Sequence, residues 1–233
     1  MRINKFISET GYCSRRETIR LIKAQRITIN GLICEQNSIV IEGDVVLIDG
    51  QAIARKTESV YLVLNKPLGI TCTASKDVTG NIISYINHPT RIFAVGRLDK
   101  TSEGLILLTN DGDIVNKMMR SENGHEKEYV VTVDKAITES FIEEMSSGVH
   151  ILGVMTKRCE VIRVSDNVFK IILTQGLNLQ IRRMCKALGY RVLKLERIRI
   201  MNITIDGLER GKWRNLTIDE LNLLKQQLAY KLD

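Results

Sequence analysis

Apolar residues recur at two different periods along this chain, and the changes of period divide it into elements. At the front, Ile3, Phe6 and Ile7 fall at helical spacing over residues 2–10, and Gly11 ends the run. A second helix starts at Ser14. Ser14 followed by Glu17 is a capping box, in which each side chain satisfies a backbone N–H at the helix start. The pattern then turns to short β-like runs at Ile27–Ile29, Ser38–Ile41 and Val45–Ile48, with turns at Asn30-Gly31, Gly43-Asp44 and Asp49-Gly50. Residues 1–50 thus read as a small module of two helices and a sheet. Residues 51–60 (QAIARKTESV) are polar, lack strong periodicity and suit a linker.

A larger unit, 61–233, follows. Tyr61–Leu64 is a continuous apolar run of the buried-strand kind, stopped by Pro67 and Gly69. A helix is expected around Ile82–Ile86, and strands at Ile92–Val95, Leu105–Leu108, Tyr129–Val133 and Phe169–Leu173. From about Leu179 a helix carries Ile181, Met184, Cys185 and Leu188 on one face and ends near Gly189. Residues 217–228 read as an amphipathic helix with Leu221, Leu224 and Leu228 inward. The whole is an α+β fold in two domains.

Charge narrows the picture. The chain of 233 residues carries a formal charge of +7, and the excess is concentrated. Residues 1–26 hold seven Lys/Arg against two acids, and residues 182–214 hold ten against three. Arg16, Arg20 and Lys23 recur at i, i+4 and i+7, so they share one helix face, flanked by Arg15 and Arg26. A single-signed stripe on so small a module points to a polyanionic partner. The five cysteines are scattered and form no C-x-x-C pair, so neither a disulfide framework nor a metal site follows from them. No apolar run approaches the ~18 residues that span a bilayer, and the start, MRINKF, lacks a signal-peptide core. A cytoplasmic protein without membrane partners is expected.

Two stretches carry a resemblance. SRRETIRLIKAQRITINGLI with GDVVLIDG is similar to an S4 RNA-binding domain. That likeness implies that Arg15, Arg16, Arg20 and Lys23 contact RNA phosphates, giving affinity with little sequence selectivity. GRLDKTSEGLILLTNDGD is, taken alone, a glycine-bounded loop between two apolar runs, and a lone loop carboxylate is usually solvated. The stretch closely resembles the signature of the RsuA-like family of ribosomal RNA pseudouridine synthases, which implies that Asp99 is the catalytic residue. Glu126-Lys127-Glu128-Tyr129 resembles the family's K-x-Y element, with Tyr129 against the target base, and TQGLNLQIRRMCKALGY resembles its third motif, with Arg182 paired to Asp99. Arg97 would fill the gap left by an extruded base or hold the RNA backbone, and Arg183 and Lys186 would add RNA contacts. The likeness runs from about residue 2 to 230. QGLN and LERIRIMNITIDGLERGKWRNLT place it nearest the branch acting on 23S rRNA. Two positions depart from it: Leu179 stands where relatives commonly carry a basic residue, and Gln175 where many carry Glu.

The implied reaction breaks the C1′–N1 bond of a uridine, turns the base and rejoins it through C5. Nothing is oxidised and no group is gained, so neither cofactor nor metal is expected. The chemistry needs an ionised carboxylate beside the sugar or base, and a guanidinium against it favours the charged form. Tyr129 would stack on the base and help remove the C5 proton. The expected enzyme has an S4-like module and a catalytic domain on a mixed, mainly antiparallel sheet flanked by helices. It acts as a monomer on ribosomal RNA, 23S first and tRNA second. The rival class is a non-catalytic RNA-binding assembly factor, which should have lost Asp99, Tyr129 or Arg182; all three are present.

Overall fold

The computed structural model describes residues 1–53, 58–75, 77–119 and 124–229, and the chain divides into two compact units. The first comprises residues 1–60 with 88–92 and 110–112, two short segments that the sequence analysis places in the larger domain. It contains α1 (Ile3–Glu9), α2 (Arg15–Lys23), β1 (Ile27–Ile29), β2 (Leu32–Ile33), β3 (Val46–Ile48) and β4 (Gln51–Ala52). The sheet runs β2-β1-β3-β4 with antiparallel neighbours. Ile3, Ile7, Leu21, Ile22, Ile27, Val46 and Ile48 form its core.

Local chemistry explains these elements. Asn30 (φ 51°) and Gly31 (φ 83°) give the two positive-φ positions that a tight hairpin between β1 and β2 requires. Asn30 also ties that turn to the next one: its Nδ2 donates to Asp44 Oδ1 (2.8 Å), and its Oδ1 accepts from Val45 N–H (2.9 Å). Ser14 Oγ accepts from Glu17 N–H at 3.1 Å, one half of the capping box. The Glu17 carboxylate turns to Arg20 instead, at 3.0 Å. Two expectations need correction. Ser38–Ile41 is not a strand of the sheet: its extended backbone lies along the chain start, with Ile3 N–H on Ser38 O (3.0 Å) and Val40 N–H on Met1 O (2.8 Å). The expected linker opens with a strand, because Gln51 and Ala52 continue the sheet as β4; its residues 54–57 lie outside the described residues.

The second unit begins with β5 (Tyr61–Lys66), α3 (Ile82–Ile86), β6 (Phe93–Val95), β7 (Glu103–Thr109), α4 (Gly112–Met119) and β8 (Lys127–Val133). There follow α5 (Glu139–Ser147), β9 (His150–Ile151), β10 (Val154–Met155), β11 (Glu160–Ser165), β12 (Val168–Leu173) and α6 (Gln180–Ala187). β13 (Val192–Ile200), β14 (Ile203–Thr204), β15 (Trp213–Asn215) and α7 (Ile218–Ala229) complete it. The main sheet runs β11-β12-β8-β13-β7-β5-β15, with β14 beside β13 and β6 beside β7. Its pairings are antiparallel except β13 with β7, where Glu196 faces Glu103 and Arg197 faces Gly104 in parallel register. One core packs β8 and β12 against α5 and α6 through Val131, Phe169, Phe141 and Met184. The other packs β5 and β7 against α4 and α7 through Val63, Leu107, Met118 and Leu224. Helix α5, to which no sequence element was assigned, puts Phe141 and Met145 one turn apart into the first core, capped by Thr138 Oγ1 on Phe141 N–H (3.1 Å). No helix among the described residues is long and apolar enough to cross a membrane.

The parallel junction is the tightest point of the sheet. Gly104 has φ +100°, and a Cβ placed there would lie 2.2 Å from the Arg197 carbonyl oxygen and 2.7 Å from its nitrogen, both backbone atoms. Gly104→Ala is therefore expected to lower the unfolding free energy by roughly 3 kcal/mol, read as a fall in the urea midpoint. Gly153→Ala, also at positive φ (+77°) but with open space around it, should cost clearly less. Equal costs would mean that the backbone angle, and not the close approach, governs position 104.

Candidate active site

A cleft of about 360 Å3 opens on β8 and β13 of the second unit. The loop 96–102 forms one wall and the loop 174–179 leading into α6 forms another. Asp99 and Arg97, both exposed, line it from the first loop. Gly96 (φ +75°) lets the chain leave β6 beside Met119, and the loop closes with Ser102 N–H on Asp99 O at 3.0 Å. Leu98, between Arg97 and Asp99, is buried, and its N–H points at Cys72 Sγ (3.4 Å). Alternation about that buried leucine turns its two charged neighbours outward.

Arg182 enters from the first turn of α6. Leu179 begins that turn in the left-handed conformation (φ 52°). The guanidinium does not pair with Asp99 as expected. Its Nη2 donates to Thr101 O at 2.8 Å and its Nη1 to Val192 O at 3.3 Å, while Nε has no partner. The closed turn at 99–102 presents the Thr101 carbonyl to α6 and leaves the Asp99 carboxylate to solvent. Arg182 thus ties the loop 96–102 to the head of β13. Asp99 forms no ion pair among the described residues. Its carboxylate is available to whatever occupies the cleft.

The floor is aromatic and cationic. Tyr129 stands on β8 opposite Ile171 of β12 and Arg197 of β13, half-buried. Arg197 is only 3% exposed; its Nε donates to Leu105 O (2.7 Å), and its guanidinium carbon lies 6.0 Å from the Tyr129 ring centre. Lys127, also lining the cleft, donates to His125 O (3.3 Å). Burial pushes its ammonium below the usual lysine range, and the Arg197 charge adds to that fall. Behind the floor, Lys66 is fully buried, its Nζ on the carbonyls of Pro67 (2.9 Å) and Ile70 (3.0 Å). Burial lowers its pKa too, against the opposing pull of Cys72, Asp99 and Glu103. Among the described residues, four cationic side chains and one carboxylate therefore line the cleft, a balance suited to a single polyanionic strand.

Asp99, Tyr129, Arg182 and Arg97 are thus brought together, and Arg183 and Lys186 are not. Arg183 is spent on Asn178, donating to its O (3.0 Å) and Oδ1 (3.2 Å), and Lys186 is exposed outside the lining. Lys127 and Arg197 are the lining cations that sequence reasoning missed. No local signal marked Arg197: alternation through LERIRI puts Leu195, Arg197 and Arg199 on one face and Ile198 and Ile200 on the other, and a register shift between Arg197 and Arg199 breaks it.

In the first unit, Arg15, Arg16, Arg20 and Lys23 are all exposed on α2. They are not equivalent. Arg20 is held by Glu17 (3.0 Å), and neighbouring Arg26 is forked onto Asp49, with Nε on Oδ1 at 2.8 Å. Arg16 and Lys23 carry no carboxylate partner among the described residues.

Residues 60–187 match the RNA pseudouridylate synthase family model and residues 1–46 the S4 domain. The chain is 53% identical to the dual-specificity RNA pseudouridine synthase RluF of Escherichia coli K12, over 95% of this chain and 77% of that protein. It is 30% identical to ribosomal large subunit pseudouridine synthase B of Bacillus subtilis, over 96% and 95% of the two chains. Among solved structures, a crystal structure of a pseudouridylate synthase superposes with a TM-score of 0.72 at 28% identity, covering 96% of this chain and 99% of that one.

Arg16 and Lys23, two of the α2 cations without a carboxylate partner among the described residues, set an expectation. The double substitution Arg16→Gln, Lys23→Gln should reduce the slope of log affinity against log salt for RNA by roughly 1.4 to 1.8, the loss of two phosphate contacts. Filter binding between 50 and 200 mM salt measures it, and an unchanged slope would show that this face does not meet phosphate.

Proposed function

The chain belongs to the RNA pseudouridylate synthase family, in its S4-bearing RsuA-like group, and from that premise we propose that Asp99 is its catalytic carboxylate and large-subunit ribosomal RNA its substrate. The enzyme isomerises uridine to pseudouridine in RNA. The observation that carries the site assignment is the cleft itself. It holds an exposed, unpaired carboxylate at Asp99, the Tyr129 ring on its floor, and Arg182 fastening the loop that bears the carboxylate.

Each part has work to do in the reaction. Extruding a base costs a few kcal/mol, which stacking on Tyr129 partly returns. Arg97, exposed at the rim two residues before Asp99, takes the backbone phosphate or the space the base leaves. Asp99 acts on the extruded nucleotide as its glycosidic bond breaks. Arg182 serves it through position: a clamp on Thr101 O leaves the carboxylate free yet fixes the segment that carries it. Tyr129 then lies beside the turned base, within reach of the C5 proton that must leave when C5 bonds to C1′. The α2 face of the S4 domain supplies affinity that is blind to sequence. This reading places the enzyme in the cytoplasm, with its RNA.

The ribosomal assignment is supported by the Bacillus subtilis relative, a ribosomal large subunit pseudouridine synthase. The dual specificity of the Escherichia coli relative favours a second reading, in which this chain too takes a second RNA, with tRNA the candidate. Mapping of pseudouridines in ribosomal and transfer RNA, from cells with and without the gene, separates the readings. One lost site in 23S rRNA is expected; lost sites in both RNAs would establish the dual reading, and none would refute the substrate assignment. Asp99→Asn is expected to abolish turnover, at least about 10⁴-fold, while RNA affinity stays within a few fold. Retention of most activity would overturn the assignment of Asp99.

A further inference from the structure

Among the described residues, Arg197 is a buried guanidinium without a counter-ion. Its Nε is spent on Leu105 O at 2.7 Å, and its Nη2 has no hydrogen-bond partner. Two carboxylates lie close by in the register: Glu196, beside it on β13, and Glu103, next to the Gly104 that faces it on β7. Both are engaged elsewhere. Glu103 meets Lys194 (3.1 Å) and Arg210 (3.0 Å), and Glu196 meets the same two cations at 2.8 and 3.6 Å. A buried charge left without a partner is costly. The fold nevertheless holds this one in the cleft lining, through a strand junction that tolerates no side chain at Gly104.

The missing partner is an acceptor brought by the substrate, and its depth identifies which part. The guanidinium carbon lies 6.0 Å from the centre of the Tyr129 ring, on the cleft floor, whereas Arg97 stands exposed at the rim. A backbone phosphate meets the rim; the floor receives the base. Resting on the reading above that Asp99 and Tyr129 handle an extruded uridine, we propose that Arg197 recognises the base itself, its guanidinium donating to one of the two uracil carbonyl oxygens. The contact has a catalytic consequence. When C1′–N1 breaks, the electron pair leaves on N1 and the detached base carries a negative charge spread over both carbonyl oxygens. When C5 bonds to C1′, that pair enters the new bond, the C5 proton leaves and N1 takes up a proton. A donor held in a dry site strengthens as the charge builds and relaxes as it disappears. Cytosine presents an amino group in place of the O4 acceptor, so the same contact, if made at O4, selects uracil.

The test is a cycle between protein and substrate. A stem-loop RNA bearing the uridine found by mapping is made with uridine, 2-thiouridine or 4-thiouridine at that position, sulfur being the poorer acceptor. Single-turnover rates are measured for the wild type and Arg197→Met. The variant should slow the uridine substrate by about 100-fold, with RNA affinity within a few fold. In the wild type, one thio position should cost about 10-fold, and in Arg197→Met that penalty should vanish. A penalty of the same size in both proteins, or none at either position in the wild type, would overturn the proposal and leave Arg197 a purely structural residue. Should Arg197→Met not fold, Arg197→Gln, uncharged and too short to reach the same acceptor, enters the same cycle with the same two outcomes. Conversion of the unmodified RNA by the wild type is read alongside and bears on the substrate assignment alone.

Discussion

Everything in the larger unit hangs on the close approach of two backbones at Gly104 and Arg197. β7 and β13 are neighbours in the sheet but run parallel, and only two residue pairs set their register. No L side chain fits at position 104, where a Cβ would sit 2.2 Å from a carbonyl oxygen. That contact joins the strands that pack on α4 and α7 to those that pack on α5 and α6. It also fixes where the cleft lies, since β13 supplies its floor and the loop ahead of β7 supplies Asp99.

The distribution of charge follows from the same junction. Glu103 and Glu196 face each other across it and would repel, so Lys194 and Arg210 are drawn onto both. That arrangement leaves Arg197, one residue on and in the cleft lining, with no carboxylate among the described residues to answer it. On the other wall, Arg182 neutralises nothing and works as a clamp, spending its hydrogen bonds on carbonyls of Thr101 and Val192. The cleft is positive because its cations are held by backbone oxygens, which orient a guanidinium without cancelling its charge.

Patterns resting on near neighbours in sequence were legible. Asn30-Gly31 could only be a tight turn, and the apolar runs at 61–64, 105–108, 129–133 and 169–173 all fall within strands. The helix ending at Gly189 buries Ile181, Met184 and Cys185 as its spacing implied. The loop carrying Arg97 and Asp99 was found by its resemblance to a family, since a carboxylate between glycines says little alone. Ser38–Ile41 misled because alternation shows which side chains are buried but not which strand, if any, lies alongside. Helix α5 passed unmarked because its apolar signal is short, Phe141, Ile142 and Met145 among polar residues.

By itself, then, the sequence determined the α+β class and the basic face of α2, and its motifs singled out Asp99, Tyr129 and Arg182 as candidates, because period, charge sign and motif are all local properties. Only the tertiary structure decided what those residues touch. Arg182 lies on Thr101 and not on Asp99, Arg183 is turned to Asn178, and Arg197 closes the cleft from beneath Tyr129. Each of these depends on which backbone oxygen happens to lie within reach of a long cationic side chain. That is settled by strand register and by a parallel pairing between residues 92 apart in the chain, a distance over which no local pattern carries information.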